Sequence, residues 1–237
     1  MIRKRKITFE EPERKKKVPA LPIQERDYNR FKYKLEEVSK DCPERNLMIF
    51  YIGVATGYRL VDYVGLTIGE LKEFLDEDKF IIQESKQYNA WKTHIANNPN
   101  SKRKPPAPRE SIIQTNLRKK IKDYVKGKKN SEYAFDSEKY PGEPITPKTY
   151  SAILKKVGQE LGLKHITGHS LRKTYAQRLW QEKRDLEFVR KSLGHKSIET
   201  TKHYLGLDNE IKEDASRRAD SKLYFFVLNT KKSNEGI

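Results

Sequence analysis

Between residues 168 and 207 the chain reads GHSLRKTYAQRLWQEKRDLEFVRKSLGHKSIETTKHYLGL. His169 and Arg172 stand three residues apart, His195 follows Leu193-Gly194, and Tyr204 follows the paired Thr200 and Thr201. Far upstream, Ala55-Thr56-Gly57-Tyr58-Arg59-Leu60-Val61-Asp62 adds a second arginine and an acid. Phenol, imidazole and guanidinium are together the groups needed to break a phosphodiester without a water nucleophile. Such a reaction requires a nucleophile, neutralisation of the charge that builds on the phosphate, and a proton for the leaving oxygen. A tyrosine phenol, with an ordinary pKa of about 10, attacks at neutral pH only with local help. Attack adds negative charge to the non-bridging oxygens, which a pair of forked, permanently protonated arginines can clamp.

These pieces differ in weight. An HxxR spacing arises by chance in many chains, and His169 alone reads equally as a satisfied core histidine. Tyr204 is one of 13 tyrosines, and a helical tyrosine more often packs than reacts. LGHKSIETTKHY is far more specific, because a Gly-His, two threonines and a tyrosine must all fall in register. His203 receives no role, Lys196 reads as solvated, and Tyr175, Leu179 and Trp180 read as the core side of a helix.

The elements that must position these groups are mostly helical. Tyr28, Phe31, Leu35 and Val38 recur at three- and four-residue steps, which predicts a helix starting near Gln24. Pro43 suits the first turn of a second helix, whose apolar face is Leu47, Phe50, Tyr51 and Val54 and whose end Gly57 can cap. Residues 79–83 and 110–114 are short and β-branched and read as strands. The stretch between them, KQYNAWKTHIANNPNSKRKPPAP, reads as a long loop or extended hairpin. Helical spacing resumes over 115–126, residues 130–147 read as a loop, and the pattern from Thr149 onward is helical. Asp185 and Ser197 are placed to cap helix starts, with Glu187 and Glu199 in the following turns. LYFFVLN, near the C-terminus, reads as a strand or a docking segment.

Composition narrows the partner. The 237 residues carry 50 Lys+Arg against 33 Asp+Glu, a formal net charge of +17. A surplus of this size points to a polyanion, nucleic acid before anionic membrane. Residues 3–17 alone hold eight basic against three acidic side chains, and Arg118 to Lys129 holds seven basic against Asp123. A single cysteine, Cys42, forms no disulfide within the chain and no Cys-based zinc cage. No apolar run approaches the roughly 20 residues of a membrane helix, and MIRKRKITFE lacks the apolar stretch of a secretory signal. The expectation is a soluble, cytoplasmic, DNA-associated protein with no membrane partner.

In order and spacing, the segments around Arg59, His169 and His195–Tyr204 resemble the tyrosine recombinases, the phage integrase family. That family is marked by TGxRxxE/D, HxxR and LGHxxxxTTxxY segments, with a β-turn lysine between the first two. The resemblance covers roughly residues 25–215, the catalytic domain. It implies an α+β, mainly α fold with a small antiparallel sheet near residues 66–114. It implies that Arg59 and Arg172 clamp the phosphate and that Tyr204 forms a 3′-phosphotyrosyl link, with no metal, ATP or other cofactor. His169 would help take the tyrosine proton, and His195 would hydrogen-bond the phosphate. Lys86, directly after a strand and 27 residues beyond Arg59, is the first choice for the general acid, with Lys92 and Lys104 as rivals. Asp62 would orient Arg59.

The organisation that follows is a basic arm over 1–22, a catalytic domain over 23–220, and a docking segment and tail over 221–237. Arg3, Lys4, Arg5, Lys6, Lys102, Arg103 and Lys104 are the candidate DNA contacts. Members of the family commonly carry a helical core-binding domain ahead of the catalytic one, and here only two helices and the basic arm precede Arg59. The active assembly implied is a homotetramer on double-stranded DNA, with accessory DNA-binding proteins as further partners. The biological role implied is an integrase or recombinase of a mobile element. Two rival readings are a type IB topoisomerase, which His169 disfavours because those enzymes usually place lysine there, and a non-catalytic DNA-binding regulator.

Overall fold

The computed structural model describes residues 18–207 and 212–221. Arg3, Lys4, Arg5 and Lys6, with the rest of the basic run before Val18, lie outside the described residues, as does LYFFVLN. Two helices come first, α1 (Glu25–Val38) and α2 (Pro43–Thr56). α1 buries Phe31 and Leu35 against the Phe50 face of α2. Pro43 takes the first helical position of α2, where a missing N–H costs nothing. Gly57 ends α2 at φ 65°, and a Cβ there would meet the Tyr175 ring at 2.3 Å, so the position demands glycine twice over. Gly53 lets α2 approach a later helix closely: a Cβ would lie 2.7 Å from Leu171 Cδ1.

α3 (Leu60–Tyr63) is one short turn, and α4 (Ile68–Asp76) starts from a capping box between Thr67 and Glu70. β1 (Lys79–Ile82) and β2 (Arg109–Ile112) pair antiparallel, Lys79 opposite Ile112 and Ile82 opposite Arg109. The small sheet falls where it was expected, with strand ends shifted by a residue or two. The connection between the strands is a correction. Its first part is a helix, α5 (Ser85–Asn97), and only residues 98–108 form the loop. The segment is free of Gly and Pro up to Pro99. Tyr88 stacks on Trp91 at 5.5 Å, and Lys92 lies 4.7 Å from the Tyr88 ring centre, both helix-neighbour pairs. α5 buries none of its side chains, so no apolar stripe announced it.

α6 (Thr115–Val125), α7 (Pro147–Glu160), α8 (Gly168–Lys183), α9 (Leu186–Leu193) and α10 (Ile198–Leu205) follow, and residues 212–221 are helical. The Asp185 carboxylate accepts the Glu187 and Phe188 amides, and Ser197 accepts that of Thr200, as their positions predicted. The main core gathers α1, α2, α4, α6 and α7 around Phe31, Ile49, Ile68, Phe135 and Tyr150. A second, smaller core of Ala176, Val189 and Leu193 joins α8, α9 and α10, with Trp180 and Tyr204 packed on it. None of the described helices is long and apolar enough to cross a membrane.

Candidate active site

Three arginines from distant parts of the chain meet at one buried carboxylate. Arg59 follows the left-handed end of α2, Arg172 lies on the first half of α8, and Arg109 opens β2. Glu84, the residue that precedes α5, is 2% exposed. Its Oε1 lies 2.9 Å from Arg59 Nη1, 2.9 Å from Arg172 Nη1 and 3.6 Å from Arg109 Nε. Arg172, also 2% exposed, donates Nη1 to the Gly57 carbonyl at 2.6 Å and Nη2 to the Leu193 carbonyl at 2.6 Å. Arg109 donates to the Ser192 and Thr56 carbonyls, both at 3.0 Å, and lies over the Tyr58 ring at 3.6 Å. Burial pulls its pKa down.

Asp62 supports the cluster from below. Its Oδ2 lies 3.7 Å from Arg59 Nη1, and its Oδ1 accepts the Ser85 amide at 2.9 Å and the Ser85 hydroxyl. The acid therefore faces Arg59, as the sequence reading had it, and also caps α5. Two carboxylates against three guanidiniums leave a surplus of positive charge. Buried Arg59 Nη1 and Arg109 Nε make no aligned hydrogen bond. Both face the Glu84 carboxylate without bonding it squarely, and an incoming anion is a group that can complete them.

Tyr204 approaches this cluster from α10. Its hydroxyl is buried without a hydrogen bond, and burial pushes its pKa up to about 12 against the pull of Arg172 and Arg59. The His195 ring meets the Tyr204 ring edge-on at 5.2 Å, and Lys173 Nζ lies 5.2 Å from its centre. Gly194 turns the chain at φ 65°, so His195 leaves α9 toward α10. There its Nδ1 lies 3.1 Å from Thr201 Oγ1. Burial takes the His195 pKa down to about 4, and Arg172 and Arg59 push the same way. The ring is neutral at physiological pH. The tautomer with Nε2–H free to donate outward is the one in which Thr201 donates to Nδ1. His169, in the first turn of α8, stays open to solvent on one side. Loss of water on its covered side lowers its pKa, and Arg59, Arg172, Lys173 and Lys86 act in the same direction.

Lys86 is exposed and stands in the first turn of α5 rather than in a β-turn. Its charge is felt by both His169 and His195. Thus Arg59, Lys86, His169, Arg172, His195 and Tyr204 gather at one place. Lys92 is turned onto the Tyr88 ring, and Lys102, Arg103 and Lys104 are exposed in the 98–108 loop. A cavity of about 630 Å³ opens beside Tyr204, walled by His169, Lys173 and Gln177 of α8 and by Pro19, Leu21 and Pro22. That N-terminal strap is pinned by Leu21 N–H on the His165 carbonyl (3.1 Å) and Ile23 N–H on Thr174 Oγ1 (2.9 Å). Sequence reasoning passed over Glu84, Arg109 and Lys173. One signal was present for Glu84: it is the only acid between residues 79 and 109.

The phage integrase family matches residues 23–210 of this chain. Over 189 residues the chain is 28% identical to the probable integrase/recombinase YoeC of Bacillus subtilis (strain 168), covering 78% of this chain and 90% of that protein. Over 102 residues it is 32% identical to the tyrosine recombinase XerA of Pyrococcus furiosus, covering 42% of this chain and 35% of XerA. Over 168 residues it is 26% identical to the tyrosine recombinase XerH of Campylobacter jejuni, covering 42% of XerH. The aligned stretches thus cover less than half the length of these two Xer proteins. Its fold is similar to a crystal structure of XerA recombinase, with a TM-score of 0.56 at 20% identity over 88% of this chain and 66% of that one. It is also similar to the Tn1549 transposon integrase in complex with circular intermediate DNA, with a TM-score of 0.58 at 16% identity over 80% of this chain and 63% of that one.

Proposed function

The chain belongs to the phage integrase family, the tyrosine recombinases that break and rejoin DNA, and from that premise we propose how its own residues carry the reaction. Tyr204 Oη attacks the scissile phosphorus, the P–O5′ bond breaks, and a 3′-phosphotyrosyl link forms. Neutral His169 assists removal of the phenol proton, and Lys86 protonates the departing 5′-oxygen. Arg59 and Arg172 stabilise the charge on the non-bridging oxygens, and His195 donates to one of them. Bond energy is stored in the covalent link, so the step runs without metal or ATP. Attack of a 5′-hydroxyl from the partner strand reverses it.

One observation carries this reading. The phenol at position 204 is buried, unpartnered and under the field of Arg59 and Arg172, in the same cluster as both histidines and Lys86. A tyrosine there for packing alone has no use for buried Arg172 and partly buried Arg59 beside it. The phenol is held neutral until a phosphate arrives, because its pKa of about 12 leaves almost none ionised at neutral pH.

The biological setting we assign is site-specific integration or recombination for a mobile element, in the cytoplasm, on double-stranded DNA. Residues 23–220 act as the catalytic domain, the basic residues Arg3, Lys4, Arg5 and Lys6 bind phosphates, and residues 221–237 dock on a neighbouring subunit within a homotetramer. Accessory DNA-binding proteins complete the assembly. The test is incubation with supercoiled DNA in EDTA, then denaturation. The expected result is a covalent protein–DNA adduct and relaxed plasmid, both lost in Tyr204→Phe while binding persists. DNA binding with no adduct on any substrate would reduce the chain to a binding module.

A further inference from the structure

A nucleophile has to be aimed while its oxygen stays unengaged, because a hydrogen bond held by that oxygen must break before attack. The Tyr204 hydroxyl has no hydrogen-bond partner, so its ring is held by faces and edges alone. The apolar cluster it packs on is small, built on buried Ala176, Val189 and Leu193. One edge meets the His195 ring, with centres 5.2 Å apart. The other polar group against the ring is Lys173, whose Nζ stands over it, 5.2 Å from the centre.

Lys173 does not end where a surface lysine usually ends. The long stem normally carries its ammonium out to water. Here the side chain is half-buried and turned over the ring. Among the described residues no carboxylate pairs with it and no hydrogen bond holds its Nζ. Burial lowers its pKa, with no opposite charge acting the other way. An ammonium partly stripped of water and left unpaired is costly, and the negative face of the Tyr204 ring is what it gains in return. One turn earlier on the same face of α8 stands His169 and one turn later Gln177, and all three wall the cavity beside Tyr204. Lys173 thus borders the nucleophile and the base together, and His169 feels its charge.

We propose that Lys173 is a positioning residue for the nucleophile: its ammonium holds the Tyr204 ring against α8 by the ring face and leaves the hydroxyl free for the phosphorus. The proposal rests on the functional reading above. A cation over an aromatic face attracts the ring without touching its oxygen. As the phenol gives up its proton, negative charge spreads into the ring and the attraction grows. The contact therefore favours the transition state over the resting protein.

Two variants of the full chain test it. Lys173→Met keeps an apolar stem of similar length and removes the charge, whereas Lys173→Arg restores a cation. On supercoiled DNA with protein in excess, adduct formation is expected to slow by about 2- to 30-fold in Lys173→Met, the range of a cation–π contact. It should recover in Lys173→Arg, with DNA affinity and its salt dependence unchanged in both. The pH–rate profile adds a readout that packing does not move. His169 is faced by Arg172 and Lys173 of α8, by Arg59 and by Lys86 of α5, and shares its cavity with His203, Tyr204 and Lys212. Removing one of these positive charges raises its pKa, so the fall in rate on acidification should begin at higher pH in Lys173→Met and not in Lys173→Arg. A parent-like rate in Lys173→Met, or an equal loss in both variants, overturns the proposal. A drop in affinity and salt dependence gives Lys173 to a DNA phosphate, and also overturns it. Amide exchange of α10 without DNA keeps the two readings apart. Faster exchange in Lys173→Met that Lys173→Arg restores supports the clamp even where the unsubstituted chain forms no adduct, a failure that strikes the functional reading alone. Exchange of α10 that does not respond overturns the clamp.

Discussion

Glu84 is the residue on which the arginine cluster turns. A guanidinium as buried as that of Arg172 requires a counter-charge, because an unpaired buried ion costs several kcal/mol. Glu84 supplies it to Arg172 and Arg59 at 2.9 Å each and sits 3.6 Å from Arg109. In Glu84→Gln the shape stays and the charge goes, leaving three guanidiniums with Asp62 alone. The expected loss is about 3–5 kcal/mol. For a chain of this size that corresponds to roughly 6–20 °C in unfolding temperature. Added sulfate should restore more stability to the variant than to the parent, because an anion can enter where the carboxylate charge was removed. An unchanged unfolding temperature would mean that the arginines are held by backbone carbonyls alone. Arg59, Arg172, His195 and Tyr204 were visible in the sequence because they sit in spaced segments whose registers can be recognised. Glu84 was not, because its partners lie 25 and 88 residues away, and only folding brings them to it.

Among the elements, those with local causes were legible and those with distant causes were not. Pro43, Gly57, Asp185 and Ser197 act within their own turns, and the structure uses each as its chemistry dictates. α5 was missed because its start depends on Asp62, 23 residues upstream, and its face shows no apolar period. The same distinction separates the two cores. The α8–α9–α10 cluster rests on Ala176, Val189 and Leu193, far less buried apolar surface than the main core holds. It carries both His195 and Tyr204. Leu193 is fully buried, and its carbonyl receives Arg172 Nη2. Leu193→Ala should therefore cost about 3 kcal/mol, in the usual range for such truncations. Its larger effect should be local: amides of α9 and α10 should exchange by partial opening well before those of α2. Uniform loss of protection across both cores would show that the nucleophile's helix shares one cooperative unit with the rest.

At the scale of the whole molecule the net charge of +17 governs how DNA is met. The arginines of the cluster are committed to Glu84 and to backbone carbonyls, so long-range attraction falls to exposed side chains such as Lys86, Lys102, Arg103, Lys104 and Lys196. Contacts of exposed cations with phosphates release condensed counterions, and that release weakens with added salt. With about six or more phosphates neutralised, affinity for mixed-sequence duplex should fall by about a thousandfold or more between roughly 50 and 200 mM salt. Fluorescence anisotropy of a labelled duplex across that range measures it directly. A flat response would mean that shape or base contacts, not the backbone, hold the DNA. The unfolding temperature provides the internal contrast. The Arg172–Glu84 pair is shut away from solvent, so mobile ions screen it little, and stability should barely change over the same series. Steep binding with level stability would separate the two electrostatic systems of this protein, an exposed one that finds the backbone and a buried one that waits for a single phosphate.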